Sequence, residues 1–354
     1  METADVIVGG GGIIGLSVAL ELARSGFRVR VLEKGRVMAE ASWAAAGMLA
    51  GHDSEHPSEL TELAELSLAL YPDYLATIER LSGREVPIRT RSALITCGDG
   101  AMSAEEAQKR VPGLATKGRS FCWRPEASLD PRDLCTALPL AAAGAGVVLQ
   151  EQTEVLSVRS LAGSVEVSTA RERLSAGSFV NCCGAWAAEV QLENQPSAGV
   201  EPWKGQIFAV RVDPPANLAY VLRTPEVYLV PRGGGLIVIG ATVERVGFDR
   251  RVDSLAVERL HALAAELWPP IAAGRVVESW AGLRPGTSDG LPVIGDAGRP
   301  NCWVATGHFR NGILLAPATG MVVRRLLQGS SPAVSLAAFA PGRSVSDKVE
   351  SAAL

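Results

Sequence analysis

The sequence predicts an α/β chain in which a dinucleotide-binding, Rossmann-like unit is assembled from separated segments and a β-rich insertion supplies a second unit. Three observations carry this. A strand–glycine turn–helix–strand run opens the chain, the stretch from Trp203 to Arg284 reads mostly as strand, and a strand followed by an apolar helix returns between Cys302 and Leu327.

The opening run is the most explicit. Asp5-Val-Ile-Val8 is a short apolar strand leading into Gly9 to Gly12. From Ile13 to about Ser25, residues Leu16, Ala19, Leu20 and Ala23 fall on one helical face, and Gly26 ends the helix. Arg28 to Glu33 forms the second strand. The turn reads Gly10-x-Gly12-x-x-Gly15. Gly10 permits the tight turn, Gly12 lets backbone approach a pyrophosphate, and Gly15 allows close helix–strand packing. The helix start at Ile13 and Ile14 offers free N–H groups and a partial charge of about +0.5 to phosphates. Glu33 ends the second strand about 20 residues on, where a carboxylate accepts from ribose hydroxyls and repels a 2′-phosphate. The pattern does not separate FAD from NAD, because both carry the ADP half.

Ala39 to Gly51 is rich in tiny side chains, which let a backbone lie against a flat ligand; a tightly packed helix is the alternative. Ser58 to Leu81 has a helical pattern interrupted at Pro72, and Asp130-Pro131 starts a helix that fades at Gly144 to Gly146. Strands Val147–Leu149, Val155–Arg159, Val165–Thr169 and Phe179–Asn181 precede a turn at Cys183 to Trp186. Ile207–Val212, Val227–Pro231 and Leu236–Gly240 follow, with Gly233 to Gly235 as a hairpin turn and a helix at Leu255–Leu267. Cys302–Thr306 is a strand, Gly312–Leu327 a closing helix, and residues after Ser330 read as a tail. The expected division places residues 1–85, 130–200 and 285–329 in the nucleotide-binding unit, 86–129 and 201–284 in the β-rich unit, and 330–354 in the tail.

Composition excludes several classes. The chain has 354 residues, 47% of them apolar, which rules out a disordered protein. It carries 34 basic and 38 acidic residues, a net charge of −4, without the basic excess of a nucleic-acid binder. No run of about 20 apolar residues could span a bilayer. Val6 to Leu20 is uncharged, but the acidic residues before it argue against a secretory leader, so the expected location is cytoplasmic. Six cysteines form no CxxC and are too few for a disulfide scaffold; Cys182 and Cys183 read as reduced core residues. His52 and His56 are spaced for a metal on a helix, but Pro57 disfavours that helix, so a solvated loop is expected and no metal site.

Two carboxy-terminal segments carry chemistry: Trp280-Ala-Gly-Leu-Arg284-Pro-Gly-Thr-Ser-Asp-Gly-Leu-Pro-Val-Ile-Gly295 and Gly307-His-Phe-Arg310-Asn-Gly312-Ile-Leu-Leu-Ala-Pro-Ala-Thr-Gly320. Taken alone, Arg284 and Arg310 suit interdomain salt bridges. Together with the amino-terminal turn and the small-residue segment, these stretches resemble the glycine oxidase branch of the D-amino-acid oxidase family of flavoproteins, over nearly the whole chain to about Leu327.

That resemblance implies non-covalent FAD. Ile13 and Ile14 would lie under its pyrophosphate, with Glu33 and Lys34 at the adenosine ribose and the Val155 backbone at adenine. Ala41, Ser42, Ala46, Gly47 and Met48 would line the flavin. His308, Phe309, Arg310, Asn311, Gly312, Ile313 and Leu314 would wrap the isoalloxazine, the helix start aiming N–H groups at its C2 carbonyl. There the helix dipole would favour the reduced, anionic ring.

For the substrate, the resemblance puts Arg284 and Tyr228 on an amino-acid carboxylate, a geometry that suits a guanidinium fork, with Arg310 as a second contact. The sequence departs from the family at Val243, where a methionine is usual, and at Ala50, where glycine is; both bear on substrate range. No general base is expected, because positioning of a neutral amine for hydride loss to flavin N5 replaces proton abstraction. The resemblance implies oxidation of glycine and other small amines with O2 reduced to H2O2, a supply of imine for thiamine thiazole synthesis, and a homo-oligomer of tetramer type. Two alternatives stay open: a D-amino-acid dehydrogenase passing electrons to a quinone or dye, and a nucleotide-binding protein without catalysis.

Overall fold

The first strand, Ala4–Gly9, lies parallel to Val29–Leu32, and the helix Ile13–Arg24 connects them. This is a computed structural model that describes residues 4–343 except positions 52, 54, 55, 99, 194, 197 and 215. The parallel core runs Val148–Gln150, Val29–Leu32, Ala4–Gly9, Arg173–Asn181, Cys302–Thr306, within a ten-stranded sheet. Such strands are buried on both faces, which explains the near-continuous apolar runs at Val6–Val8 and Val29–Leu32. The helices Ile13–Arg24, Thr61–Ser82, Pro131–Gly144 and Gly312–Leu327 pack on one another beside this sheet and share its largest core. Asp130 caps the third of them, accepting from Arg132 N at 3.0 Å, as its Asp-Pro start predicts.

A second sheet has seven strands in the order Arg275–Gly286, Glu201–Arg211, Leu236–Gly240, Tyr228–Gly233, Val221–Arg223, Ala93–Thr96, Phe121–Arg124. Neighbours are antiparallel except Val221–Arg223 with Ala93–Thr96. The helix Ser254–Leu267 covers one face with Leu260, Ala264, Leu267 and Trp268. A small third sheet joins Met48–Leu49, Ala127–Leu129 and Ile88–Thr90.

Four local expectations are corrected, and one covalent pairing is added that the sequence did not announce. The helix Thr61–Ser82 runs straight through Pro72. Its buried face and the bonds from Tyr71 Oη to Ile313 O and Ser67 Oγ to Leu314 O outweigh a cost of about 3 kcal/mol for interior proline. Val155 is not in a strand; it sits in the connection before Ser157–Leu161. Cys97 and Cys122 form a disulfide, Cα atoms 5.8 Å apart, because antiparallel strands bring together what no sequence spacing paired. Cys135, Cys182, Cys183 and Cys302 are free thiols. His56 is not a solvated loop residue: its ring lies 3.7 Å from Asp53 and burial lowers its pKa to about 4. Finally, residues after Ser330 are fastened as far as Arg343, which pairs with Asp289 at 2.7 Å while Phe339 is buried. His52 and residues 344–354 lie outside the described residues. No group of three or more metal-ligating side chains occurs among the described residues, nor any helix long and apolar enough to cross a membrane.

Candidate active site

One cleft of about 690 Å³ runs between the parallel sheet and the seven-stranded sheet. Its floor at one end is the glycine turn. Gly10 has φ +97°, and a Cβ there would stand 2.3 Å from Cys182 O. A Cβ on Gly15 would be 1.9 Å from Gly10 O, so the helix can meet the turn only without a side chain. Glu33 braces this turn: its two carboxylate oxygens accept from Gly11 N and Gly35 N, each at 2.7 Å. Ile13 N donates to Ser42 Oγ at 2.9 Å, tying the helix start to the small-residue segment. Lys34 Nζ lies 4.1 Å over the Trp186 ring.

At the other end stands a cationic group. Arg284 donates from Nη1 to Thr242 O at 3.0 Å and lines the same end of the cleft as Tyr228. Burial pulls its guanidinium pKa down, countered by Tyr228, yet an arginine stays charged. Burial raises the Tyr228 phenol, with Arg284, Arg232 and Arg310 opposing, so the hydroxyl keeps its proton as a donor. Two glycines make the space. A Cβ on Gly205 would sit 2.3 Å from the Arg284 guanidinium, and one on Gly240 would sit 2.5 Å from Tyr228 Oη.

Between the two ends, residues from Ala41 to Met48 and from His308 to Ile313 line the walls of the cleft. Ala41–Ala44 is a single helical turn and Met48–Leu49 a short strand, so the tightly packed long helix is not formed. His308 is buried, its Nε2 engaged with Thr319 Oγ1 at 3.0 Å, and desolvation lowers its pKa to about 3. The neutral ring leaves Nδ1 buried in the cleft wall without a partner among the described residues. A flavin fits this wall: an elongated cleft, a glycine cradle only backbone can fill, and an orphaned polar atom where a polar ring edge would meet it.

The structure brings together at this cleft Gly10, Gly12, Ile13, Ile14, Glu33, Lys34, Ala41, Ser42, Ala46, Gly47, Met48, Ala50, Val155, Tyr228, Val243, Arg284 and His308 to Ile313, with Arg310 among them. Gly15 lies behind the turn. Leu314 is not at the cleft; it is buried in the core, and its carbonyl accepts from Ser67 Oγ at 2.6 Å. Sequence reasoning missed Trp186 and the rim group Asp53, His56 and Arg223, in which Arg223 pairs with Asp53 and with Glu126 at 2.9 Å. It also missed Gly205 and Gly240. Glycine inside an apolar strand is itself a sign of close approach, and that signal was present.

Residues 5–326 match the FAD dependent oxidoreductase (DAO) family, and the chain belongs to it; its cofactor is FAD. It is 35% identical to a glycine oxidase of Geobacillus kaustophilus, covering 96% of this chain and 97% of that one. A solved glycine oxidase from the same organism superposes with a TM-score of 0.92 at 33% identity, over 98% of this chain and all of that one. A bifunctional protein ThiO/ThiG of Synechocystis is 34% identical over 96% of this chain, which spans 54% of it.

Proposed function

We propose that the protein oxidises glycine and other small amines, including sarcosine and small D-amino acids. The observation that carries this is the pairing of Tyr228 with Arg284 at one end of a flavin-sized cleft, with Arg310 lining the same chamber. A guanidinium and a phenol side by side suit one carboxylate, each charged hydrogen bond contributing about 1.5–3 kcal/mol. Ala50 and Val243 line that chamber as small walls and favour a substrate with little side chain.

FAD, when bound, supplies the two-electron acceptor. The side chains do the positioning: Arg284 and Tyr228 fix the carboxylate, and Arg310 adds positive charge. Glu33 and the glycine turn hold the adenosine end, and the residues from Ala41 to Met48 and His308 to Ile313 line the ring. Overall, glycine, O2 and water become glyoxylate, ammonia and H2O2. The ThiO name of the bifunctional relative supports a role in which the imine feeds thiazole formation for thiamine. The parallel-sheet segments serve as the FAD-binding unit and the seven-stranded sheet as the substrate-binding unit, in a cytoplasmic homo-oligomer.

The test is the visible spectrum of the purified protein before and after anaerobic glycine, then after air. Flavin bands that bleach and return quickly with peroxide support an oxidase. A yellow protein that stays oxidised with glycine, sarcosine and D-alanine sinks the reading, and fast reoxidation only by a dye converts it to a dehydrogenase.

A further inference from the structure

Each of the two carboxylate-holding residues has a companion on its own strand that grips the small-residue wall opposite. Tyr228 opens the strand Tyr228–Gly233, and Arg232 lies four residues on. Arg284 lies on Arg275–Gly286, four residues after Trp280. Arg232 is buried; it donates from Nη1 to Leu129 O at 2.7 Å and from Nη2 to Ala46 O. Trp280 Nε1 donates to Ala44 O at 3.0 Å. The seven-stranded sheet thus holds two carbonyls, two residues apart, in the wall Ala41 to Met48.

Further details point the same way. The ladder slips at Arg232, between the pairs Pro231–Ile237 and Gly233–Leu236, and such irregularities re-aim a side chain. Asp130 Oδ2 lies 3.6 Å from Arg232 Nε and balances its buried charge. Gly282, between Trp280 and Arg284, has no Cβ, and one there would stand 2.5 Å from the Ala44 Cβ. Gly47, at φ +77°, turns tightly enough that a Cβ would be 2.2 Å from Leu129 O, while its own carbonyl accepts from Leu129 N at 3.0 Å. The wall is thus tied to the seven-stranded sheet at Ala44 O and Ala46 O and to the small third sheet at Gly47.

We propose that Arg232 and Trp280 are positioning residues that set the distance between the substrate and the flavin. The inference rests on the amine-oxidising reading and adds to it. Four strand positions span about 13 Å, so each strand acts as a rigid spacer with a carboxylate contact at one end and a grip on the flavin wall at the other. Neither residue contacts the carboxylate in this scheme. Losing either grip leaves binding intact and lets the ring drift from the reacting carbon, where a shift of about 1 Å costs on the order of a hundredfold in rate.

Trp280→Phe deletes the N–H donor together with part of the ring and keeps a phenyl beside Trp43, which meets it edge-on, and under the Arg132 guanidinium. Arg232→Lys keeps the charge beside Asp130 but can reach fewer carbonyls. In FAD-loaded protein, two quantities are measured for parent and variants. One is the Kd of acetate, read from the flavin bands; the other is the rate of anaerobic flavin reduction at saturating glycine. The expected result is an acetate Kd within about twofold of the parent, with reduction slowed about tenfold in Trp280→Phe and about a hundredfold in Arg232→Lys. Unchanged reduction in both overturns the proposal, as does a loss of acetate affinity equal to the loss of rate. If no amine reduces the parent flavin, the functional reading has failed. The visible circular dichroism of bound FAD then decides this one: altered bands in both variants support the grip, and unaltered bands overturn it.

Discussion

The two ends of the cleft are built by different means. At the nucleotide end the cleft floor is backbone, set by the absence of side chains at Gly10, Gly12 and Gly15 within one continuous run from Ala4 to Leu32, and in the proposed reading it is backbone that meets the ligand there. At the end proposed to hold the carboxylate, the cleft is formed by side chains on separate strands, Tyr228 and Arg284, joined by the sheet order and by glycines beneath them on two further strands. A site made of backbone is legible in a short motif and intolerant of any added atom. A site made of convergent side chains is spread along the chain and fails one contact at a time.

The sharpest way to break that comparison is Gly15→Ala. With its Cβ 1.9 Å from backbone that cannot move aside, the variant is expected to lose FAD almost completely. The ratio of flavin to protein absorbance measures this, and a parent-like ratio would show that the turn tolerates a side chain after all. Next in size is the opposite end. Arg284→Ala should raise KM for glycine by about a hundredfold, since it removes a charged partner present in ground and transition states. Gly205→Ala sharpens the same point: its Cβ would displace the guanidinium, and KM should rise about tenfold or more with FAD content unchanged. An unaltered KM in both would separate this end from substrate binding.

The smallest effect concerns pH. His308 is buried and His56 half-buried, both neutral, with pKa values lowered to about 3 and about 4, whereas an unfolded histidine titrates near 6.5. The unfolded chain therefore binds more protons below pH 6.5. Stability from these rings is complete above that pH and falls toward the folded values, by at most about 1.4 kcal/mol per pH unit for each. His56→Gln should flatten the fall in Tm between pH 7 and pH 5; a slope equal to the parent's would remove His56 from the account.

How far each part could be read in advance follows from range. The helix Gly312–Leu327 and the strand Cys302–Thr306 match their expected limits, because apolar periodicity and Gly312 are local. The sequence places residues 86–129 in the β-rich unit but delimits no individual strand between 88 and 129, because those strands are three or four residues long and lack alternation. Pro72 misled because its penalty is local while the packing that overrides it comes from a helix some 240 residues away in sequence, as the Tyr71 and Ser67 bonds show. His56 misled for the same reason: Pro57 disfavours a helix, but nothing nearby in sequence announces Arg223.

The sequence by itself determined the dinucleotide turn and the family resemblance, and through that resemblance the expectation of Arg284 and Tyr228 at a carboxylate, since glycine conformations and motif residues are properties of single residues and short spacings. Only the tertiary structure decided that Tyr228 and Arg284 meet, that Gly205 and Gly240 make room for them, that Cys97 reaches Cys122, and that Arg232 and Trp280 grip the opposite wall. Those contacts join positions far apart in the chain, and their geometry exists only once strand order and register are fixed.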